Sequence, residues 1–262
     1  MWRCPAPCGQ RVRVGVLAVI FLNGEYASSP GGATRAGGAT PGDEADPAGP
    51  AAYYRAWAAR ADLVVGADGG CAFALAVGAM PDIVVGDFDS LAPELLERAR
   101  NAGAGIVRHP VHKDLTDAEL AVDEALARGC DEIVLAGALG GAADHLLGNV
   151  AVLRRLAEQG VAARIVSPDL AARVLCAPAS VTLAAPAGTR ASLIALSETA
   201  EVTLRGFEYE LVRGTLAAAA CLGLGNTIAG APARVDVHAG TVLAFVFDGA
   251  ETFVAAALKD GG

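Results

Sequence analysis

The sequence lacks long hydrophobic runs and an excess of basic residues. The apolar stretch from Val14 to Leu22 has nine residues and ends at a polar turn, whereas a membrane-spanning helix needs about 20. Lys and Arg number 20 against 29 Asp and Glu, which gives a formal net charge of −9. A surface of this charge repels phosphate backbones. We therefore expect neither a membrane protein nor a nucleic-acid-binding protein.

Paired cysteines are also missing. The six cysteines lie at positions 4, 8, 71, 130, 176 and 221, and only the first two are close together. This spacing predicts neither a zinc site nor a disulfide framework, and isolated cysteines among small or apolar neighbours are typical of the cytoplasm. Arg11 and Arg13 before the first apolar stretch loosely imitate a secretory signal, but its β-branched residues favour a buried strand.

The composition divides the chain into four parts. Residues 1–12 are predicted to be a disordered tail, and residues 27–50 a disordered low-complexity insertion, because Ala, Gly, Pro, Ser and Thr bury too little apolar surface to offset the entropy of ordering. Residues 13–177 are predicted to form an α/β catalytic domain, and residues 178–258 a substrate-binding β-sandwich.

The two predicted domains differ in the rhythm of their apolar residues. In the first, apolar runs at 63–67, 83–85, 105–107, 133–136 and 164–166 alternate with amphipathic stretches at 51–61, 72–77, 93–102, 116–128 and 144–159. Alternation of this kind predicts a parallel sheet with helices on both faces, a three-layer fold. After residue 178 short strands separated by turns predict a smaller all-β sandwich.

Acidic residues follow two of the predicted strands directly. Asp68 comes after the strand at 63–67, and Asp87 and Asp89 come after the strand at 83–85. The carboxyl ends of parallel strands line the ligand crevice of an open sheet, so we expect these carboxylates to converge. Like charges that converge are costly unless a cation joins them.

Two more clusters follow later strands. Asp114, Thr116 and Asp117 open one helix, and glycines 137, 140 and 141 precede Asp144, which opens another. Thr116 has a plain structural alternative as a helix N-cap. Six aspartates at strand ends suit magnesium that carries a triphosphate, and neither a Walker-type nor a dinucleotide-binding glycine pattern occurs.

In these segments the sequence resembles the thiamine pyrophosphokinase (thiamine diphosphokinase) family in its bacterial form. The resemblance covers the chain from about Val14 to Phe247, without the insertion. The matching stretches are Ala67–Gly70, Pro81–Leu91, Lys113–Ala121, Gly137–Gly141 with Asp144, His145 and Asn149, then Ser192–Ser197 and Gly206–Leu211.

The resemblance implies a two-domain homodimer that holds thiamine between subunits and converts ATP and thiamine to AMP and thiamine diphosphate. It further implies roles for individual residues. The implied magnesium ligands are Asp87, Asp89 and Asp117; catalysis also involves Asp68 and Asp144; ATP is contacted by Lys113, Asp114, Thr116, Gly140 and Gly141; thiamine is contacted by Asp144, Gly225 and Asn226.

Two positions depart from the family pattern and leave alternatives open. Ala142 stands where the family usually has an arginine, and Gly225 stands where it usually has a serine. An arginine supplies bidentate phosphate contacts, so its absence suggests a relative that binds nucleotide but has weakened catalysis. A lost hydroxyl changes substrate choice, which suggests a pyrophosphokinase for another heteroaromatic alcohol such as a hydroxymethylpterin.

Overall fold

The computed structural model of the chain describes residues 15–29, 32–35, 49–110, 115–139, 142–230, 232–248 and 253–255. The predicted tail at 1–12 lies outside these ranges. The first part contains β1 (Leu17–Phe21), β2 (Glu25–Ser29), β3 (Gly32–Arg35), α1 (Pro50–Ala58), β4 (Leu63–Ala67), α2 (Gly70–Ala76), β5 (Ile83–Gly86), α3 (Pro93–Asn101), β6 (Gly105–Arg108), α4 (Asp117–Ala127), β7 (Glu132–Ala136), α5 (Ala143–Glu158) and β8 (Ala162–Ser167). The second part contains β9 (Leu170–Cys176), β10 (Ala179–Leu183), β11 (Arg190–Ala195), β12 (Thr199–Arg205), β13 (Leu211–Ala217), β14 (Asn226–Thr227), β15 (Ala233–Ala239), β16 (Thr241–Val246) and β17 (Phe253–Ala255).

A parallel sheet forms the centre of the first part. Its strands lie in the order β8-β7-β1-β4-β5-β6, and each neighbouring pair is parallel. The chain runs from β1 outward to β6 and then returns to the other side of β1 with β7, so a topological switch point lies between β1 and β7. All five residues of β1 are buried, because helices cover both faces of the sheet.

Helices α1 and α2 pack on one face of this sheet and helices α4 and α5 on the other. Tyr54, Trp57 and Phe73 fill the first layer against β1 and β4. Alanine, valine and leucine side chains of α4 and α5 fill the second layer, with Val122 and Leu153 at its centre. The three-layer α/β arrangement confirms the prediction.

The large sheet continues beyond the parallel strands. β9 is antiparallel to both β8 and β16, and the sheet ends with β11 and β14. A separate antiparallel sheet, in the order β13-β12-β15-β10-β17, packs against these strands around a second core that includes Val202, Leu204 and Val235. This confirms the sandwich, while the division at residue 177 stays a proposal because the ten-stranded sheet crosses it.

The structure corrects one expectation. Residues 27–50 were expected to be disordered, but in the described part of this stretch β2 and β3 form an antiparallel hairpin with pairs such as Tyr26 with Thr34. Residues 36–48 lie outside the described residues. Backbone pairing satisfies polar groups without large side chains. Tyr26, which is completely buried, anchors β2. Its ring stacks on Phe73 at a centroid distance of 3.5 Å, and its hydroxyl donates a hydrogen bond to the Leu22 carbonyl at 2.7 Å.

Within the described ranges, no helix combines the length and apolarity that crossing a bilayer requires. α5, the longest helix, spans 16 residues and carries charged side chains on its exposed face.

Candidate active site

The acidic residues near the parallel sheet fall into two groups with different roles. At the amino ends of strands, Asp62 accepts a hydrogen bond from the Leu17 N–H at 2.9 Å, and Asp82 accepts one from the Val64 N–H at 2.7 Å. These carboxylates satisfy backbone donors where the strands begin. The acids at the carboxyl ends face the crevice instead.

Asp68, Asp87 and Asp89 form a cluster at the ends of β4 and β5, here called the acid triad. One carboxylate oxygen from each lies within 4.8 Å of those of the other two. The adjacent parallel strands bring the residues together, and the Asp68 N–H donates to the Val85 carbonyl at 2.8 Å. Oxygen ligands at this spacing are what a hard divalent cation takes.

The two aspartates that follow β5, Asp87 and Asp89, are oriented by a tight turn through residues 87–90. The Asp89 N–H donates to Asp87 Oδ1 at 3.1 Å, and the Ser90 hydroxyl donates to Asp89 Oδ1 at 2.9 Å. Phe88, between the aspartates, has a φ of +67°, a conformation that is uncommon for residues with a side chain. The turn therefore directs both carboxylates toward Asp68 at the expense of backbone strain.

Asp68 is the most buried member of the acid triad, with 2% of its surface exposed. Among the described residues its Oδ1 has no hydrogen-bond partner. Burial raises the pKa of this carboxyl, hydrogen bonds from Ser90 and the Gly69 N–H oppose that rise, and the charges of Asp117 and Asp89 add to it. A buried oxygen without a partner, among like charges, fits a bound cation.

A cavity of about 620 Å³ lies beside the acid triad. It is lined by the ends of β1 and β7, so it lies at the topological switch point, where ligands bind in open α/β sheets. The polar side chains in its wall are those of Asn23, Glu25, Asp68, Ser90, Thr116, Asp117, Asp144, His145 and Asn149.

The loop after β1 forms one wall of the cavity. A side chain at Gly24 would lie 1.9 Å from the Gly137 carbonyl, and one at Gly137, whose φ is +71°, would lie 2.4 Å from the Tyr26 ring. The loop is thus pressed onto the end of β7 and presents Asn23 and Glu25 to the cavity. Sequence reasoning missed these two residues, although their place at a strand's carboxyl end was the signal.

Helices α4 and α5 both begin at the cavity. Thr116 is the N-cap of α4: its hydroxyl accepts from the Glu119 N–H at 3.2 Å, and the Glu119 carboxylate accepts from the Thr116 N–H at 2.8 Å. This capping box confirms the structural alternative for Thr116, which lines the cavity as well. Asp117, the first residue of the helix, lines the cavity beside Asp68 but lies outside the acid triad.

The start of α5, unlike that of α4, has no side-chain cap. Ala142 is its N-cap and provides no side-chain hydrogen bond, and Asp144 accepts from the His145 N–H at 3.0 Å. Both Asp144 and His145 are exposed in the cavity wall. Asn149, one turn further on, donates to the Ala138 carbonyl at 2.9 Å and so holds the loop after β7.

Gly225 and Asn226 lie far from the acid triad within one chain. β14 is seven strand positions from β4 in the sheet, which corresponds to about 34 Å at 4.8 Å per strand. The Asn226 amide donates to the Tyr209 carbonyl at 2.8 Å, and its oxygen accepts from the Tyr209 N–H at 3.1 Å. The two predicted thiamine contacts are therefore not part of the cavity of their own chain. The predicted ATP contacts Lys113, Asp114, Gly140 and Gly141 lie outside the described residues.

Comparisons with known proteins agree with this geometry. The family model for the thiamin pyrophosphokinase catalytic domain matches residues 54–165. Thiamine pyrophosphokinase of Bacillus subtilis (strain 168) is 32% identical over 151 residues, which are 57% of this chain and 70% of that protein. Thiamine pyrophosphokinase 1 of rice (Oryza sativa subsp. japonica) is 41% identical over 81 residues, 29% of this chain and 31% of that protein.

Solved structures show the same similarity. The crystal structure of thiamine pyrophosphokinase from Bacillus subtilis superposes with a TM-score of 0.65 at 26% identity, covering 71% of this chain and 87% of that one. The thiamin pyrophosphokinase from Geobacillus thermodenitrificans superposes with a TM-score of 0.68 at 25% identity, covering 90% of this chain and 98% of that one.

Proposed function

The chain belongs to the thiamine pyrophosphokinase family, and we propose that it transfers the pyrophosphoryl group of ATP to the hydroxyl of thiamine, giving thiamine diphosphate and AMP. The observation that carries this proposal is the acid triad, whose buried Asp68 faces a cavity at the switch point of the sheet. A triphosphate held through a divalent cation suits so acidic a site, which would repel the bare nucleotide.

Asp68, Asp87 and Asp89 would hold Mg²⁺, and the orphaned Oδ1 of Asp68 is the observation that fits such an ion. When bound, the ion neutralises negative charge on the transferred group and on the leaving phosphate. The assignment of Asp117 as a further ligand remains a proposal, because its charge acts on Asp68 from outside the triad.

The protein's own groups position the reactants. The thiamine hydroxyl oxygen forms a bond to the β-phosphorus of ATP while the bond from that phosphorus to the α–β bridging oxygen breaks, and AMP leaves with the electron pair. Asp117 or Asp68, which both line the cavity, would accept the hydroxyl proton. Because phosphoryl transfer passes through a loose transition state, positioning contributes more than a strong base.

The helix starts support a phosphate position near Thr116 and Ala142. α4 has 11 residues and α5 has 16, and the first turns of both helices lie at the cavity that Thr116, Ala118 and Ala142 line. Such termini favour anions. This arrangement supports Thr116 as an ATP contact, and Asp144 at the start of α5 would lie beside the phosphates or the thiamine.

The products of the reaction test the proposal. The purified chain is incubated with ATP, Mg²⁺ and either thiamine or a hydroxymethylpterin, and products are resolved by chromatography. We expect AMP and thiamine diphosphate in equal amounts. A pterin diphosphate would support the alternative acceptor, which the comparisons do not favour, and nucleotide binding without AMP would identify a catalytically weakened relative.

Ala142→Arg is expected to increase kcat/KM for ATP roughly tenfold. Ala142 is exposed in the cavity wall, and its extended backbone accepts any side chain. A guanidinium there adds bidentate donors to the transferred phosphates, and preorganised donors of this kind change rates by a factor of 10² or more. Steady-state kinetics with varied ATP measures the gain.

Ala143→Arg is the matched control, since this neighbour is equally exposed but does not line the cavity. It should leave kcat/KM within about twofold. An unchanged rate in Ala142→Arg would mean that another cation already occupies this role.

We propose that the protein acts as a homodimer. Three exposed apolar side chains support it: Tyr209 is 73% exposed, Val212 80% and Leu222 65%. They lie on or beside β13 and β14, the edge strands of the two sheets, and exposed apolar clusters mark interaction surfaces. In a dimer, Gly225 and Asn226 of one chain can approach the acid triad of the other, which their distance within one chain prevents.

Leu222→Asp is expected to convert the dimer to the 26.3 kDa chain, because a charge buried in an apolar interface lacks a partner. Sedimentation equilibrium at micromolar concentration measures the mass. Met80→Asp, in the α/β part and 43% exposed, is the control and should stay dimeric. A wild-type chain that sediments at the mass of one chain would contradict the proposal.

A cytoplasmic location is part of the same proposal. Cys71, Cys130, Cys176 and Cys221 are free thiols, and burial raises the pKa of Cys71 to about 11. The two buried thiols, Cys71 and Cys130, are therefore unreactive small apolar groups, which agrees with a reducing compartment where ATP is available.

A further inference from the structure

We propose that Arg108 is a positioning residue for the acid triad: it holds the turn of residues 87–90 in its metal-binding conformation and thereby strengthens divalent-cation binding, although it is itself a cation. This inference rests on the proposed function, since it assumes that the acid triad holds a divalent ion. It assigns a role to a residue that lies outside the cavity wall.

Arg108 reaches the turn from the end of the neighbouring strand. β6 is parallel to β5, and Arg108 is paired with Gly86, the last residue before the turn. Its Nη1 donates a hydrogen bond to the Asp87 carbonyl at 2.9 Å. The guanidinium carbon lies 4.7 Å from the centre of the Phe88 ring. One side chain therefore contacts the backbone of Asp87 and the ring of the next residue.

The turn needs such support for two reasons. Phe88 has a φ of +67°, so its backbone relaxes to a more common conformation unless other contacts hold it. Asp87 and Asp89 also carry like charges and separate when nothing holds the turn. Relaxation of Phe88 would rotate Asp87 or Asp89 away from Asp68, so that the three carboxylate oxygens no longer lie within 4.8 Å of one another.

Charge and geometry predict opposite effects on metal affinity, which makes the role of Arg108 measurable. A guanidinium beside a divalent cation repels it, so loss of the positive charge alone would tighten metal binding. Loss of the contacts that hold the turn would weaken metal binding, as it does for residues that orient metal ligands from behind. The sign of the change therefore separates the two roles.

The experiment titrates Mn²⁺ into nucleotide-free protein and follows the free ion by electron paramagnetic resonance. Arg108→Gln, which removes the charge and the fork of donors, is expected to raise the Mn²⁺ Kd about tenfold. Arg108→Lys, which keeps the charge but loses the planar fork, is expected to raise it by a smaller factor. At saturating Mg²⁺ the kcat of both variants should return to within about twofold of the wild-type value.

An unchanged or lower Mn²⁺ Kd in Arg108→Gln overturns the proposal. If the KM for ATP at saturating metal rises while the Mn²⁺ Kd is unchanged, Arg108 is a nucleotide contact instead. Arg100→Gln on α3 is the control, since Arg100 is exposed and pairs with Glu97 on the same helix. It should leave the Kd unchanged.

Phe88→Leu keeps an apolar side chain at the turn but removes the ring face. We expect it to raise the Kd as well, and we expect Arg108→Gln to add less in this background than in the wild type, because both changes release the same turn. Full additivity of the two changes would overturn the proposal. A wild-type chain that binds no Mn²⁺ overturns the proposed metal site itself, whereas wild-type binding that Arg108→Gln leaves intact overturns the role of Arg108 alone.

Discussion

Asp87→Asn is expected to reduce kcat about 10³-fold at saturating ATP, thiamine and Mg²⁺. The substitution removes one of the three charges of the acid triad but keeps the size of the side chain and the oxygen that accepts the Asp89 N–H. Charge stabilisation by a bound cation contributes several kcal/mol to such reactions, and each 1.4 kcal/mol is a factor of ten in rate. AMP release, followed by chromatography, measures the loss.

Asp82→Asn is the matched control for this experiment. Asp82 precedes the same strand, β5, at its opposite end, where it accepts the Val64 N–H at 2.7 Å. An asparagine there keeps an acceptor, so we expect kcat within about twofold of wild type and a loss of at most about 1 kcal/mol in unfolding free energy. Turnover of Asp87→Asn near the wild-type rate would contradict the role of the acid triad.

Asp68→Asn is expected to abolish turnover and, in the metal-free protein, to raise the melting temperature at pH 7, because it removes a buried charge. Burial, and then the charges of Asp117 and Asp89, raise the pKa of Asp68 above its value in the unfolded chain, against hydrogen bonds from Ser90 and Gly69. The folded state therefore binds the proton more tightly. The stabilisation that protonated Asp68 contributes is fully present below the pKa of the unfolded chain, near 4. It is lost as the pH rises through the pKa of Asp68 in the folded chain.

Bound metal is expected to reverse the order of the two melting temperatures, so that the wild type melts above Asp68→Asn. A ligand at 100 times its Kd stabilises the folded state by about 2.7 kcal/mol, so Mg²⁺ should raise the melting temperature of the wild type and hardly change that of Asp68→Asn. Thermal unfolding in EDTA and in Mg²⁺, at pH 5 and pH 8, measures both effects. The stability difference in EDTA should be larger at pH 8. A variant that melts below the wild type in EDTA at pH 8 would contradict the unpaired charge inferred for Asp68.

The strands of the parallel sheet and the acidic residues at their carboxyl ends could be predicted, because both depend on patterns within short segments of sequence. Apolar runs with β-branched residues form the buried strands β1, β4, β5 and β7, and the alternation with amphipathic stretches requires parallel strands. Parallel strands end at one edge of the sheet, so Asp68, Asp87, Asp89 and Asp117 were expected near one crevice. The Thr116 cap also follows from sequence, because it involves only residues three apart.

Other elements, such as β13 and the β2–β3 hairpin, have no clear signature in the sequence, for equally physical reasons. β13 carries exposed residues on both faces, such as Val212 and Arg213, so it lacks the alternation that identifies a strand. The β2–β3 hairpin has few large side chains in its sequence, and its buried Tyr26 packs against Phe73, which is 47 positions later in the chain. Contacts between residues so far apart along the chain leave no recognisable pattern in the local sequence.

By itself, the sequence determined the α/β and sandwich classes, the family resemblance and the edge of the sheet where the acids lie, because periodicity and strand direction are properties of short segments. Only the tertiary structure decided that Asp68 lies beside Asp87 and Asp89, that Asn23 and Glu25 line the cavity, that Arg108 contacts the turn, and that Asn226 lies some seven strands away. These facts depend on distances between side chains from different elements. Such distances are set by sheet order, turn geometry and packing across the whole chain, and spacing along the sequence does not contain them.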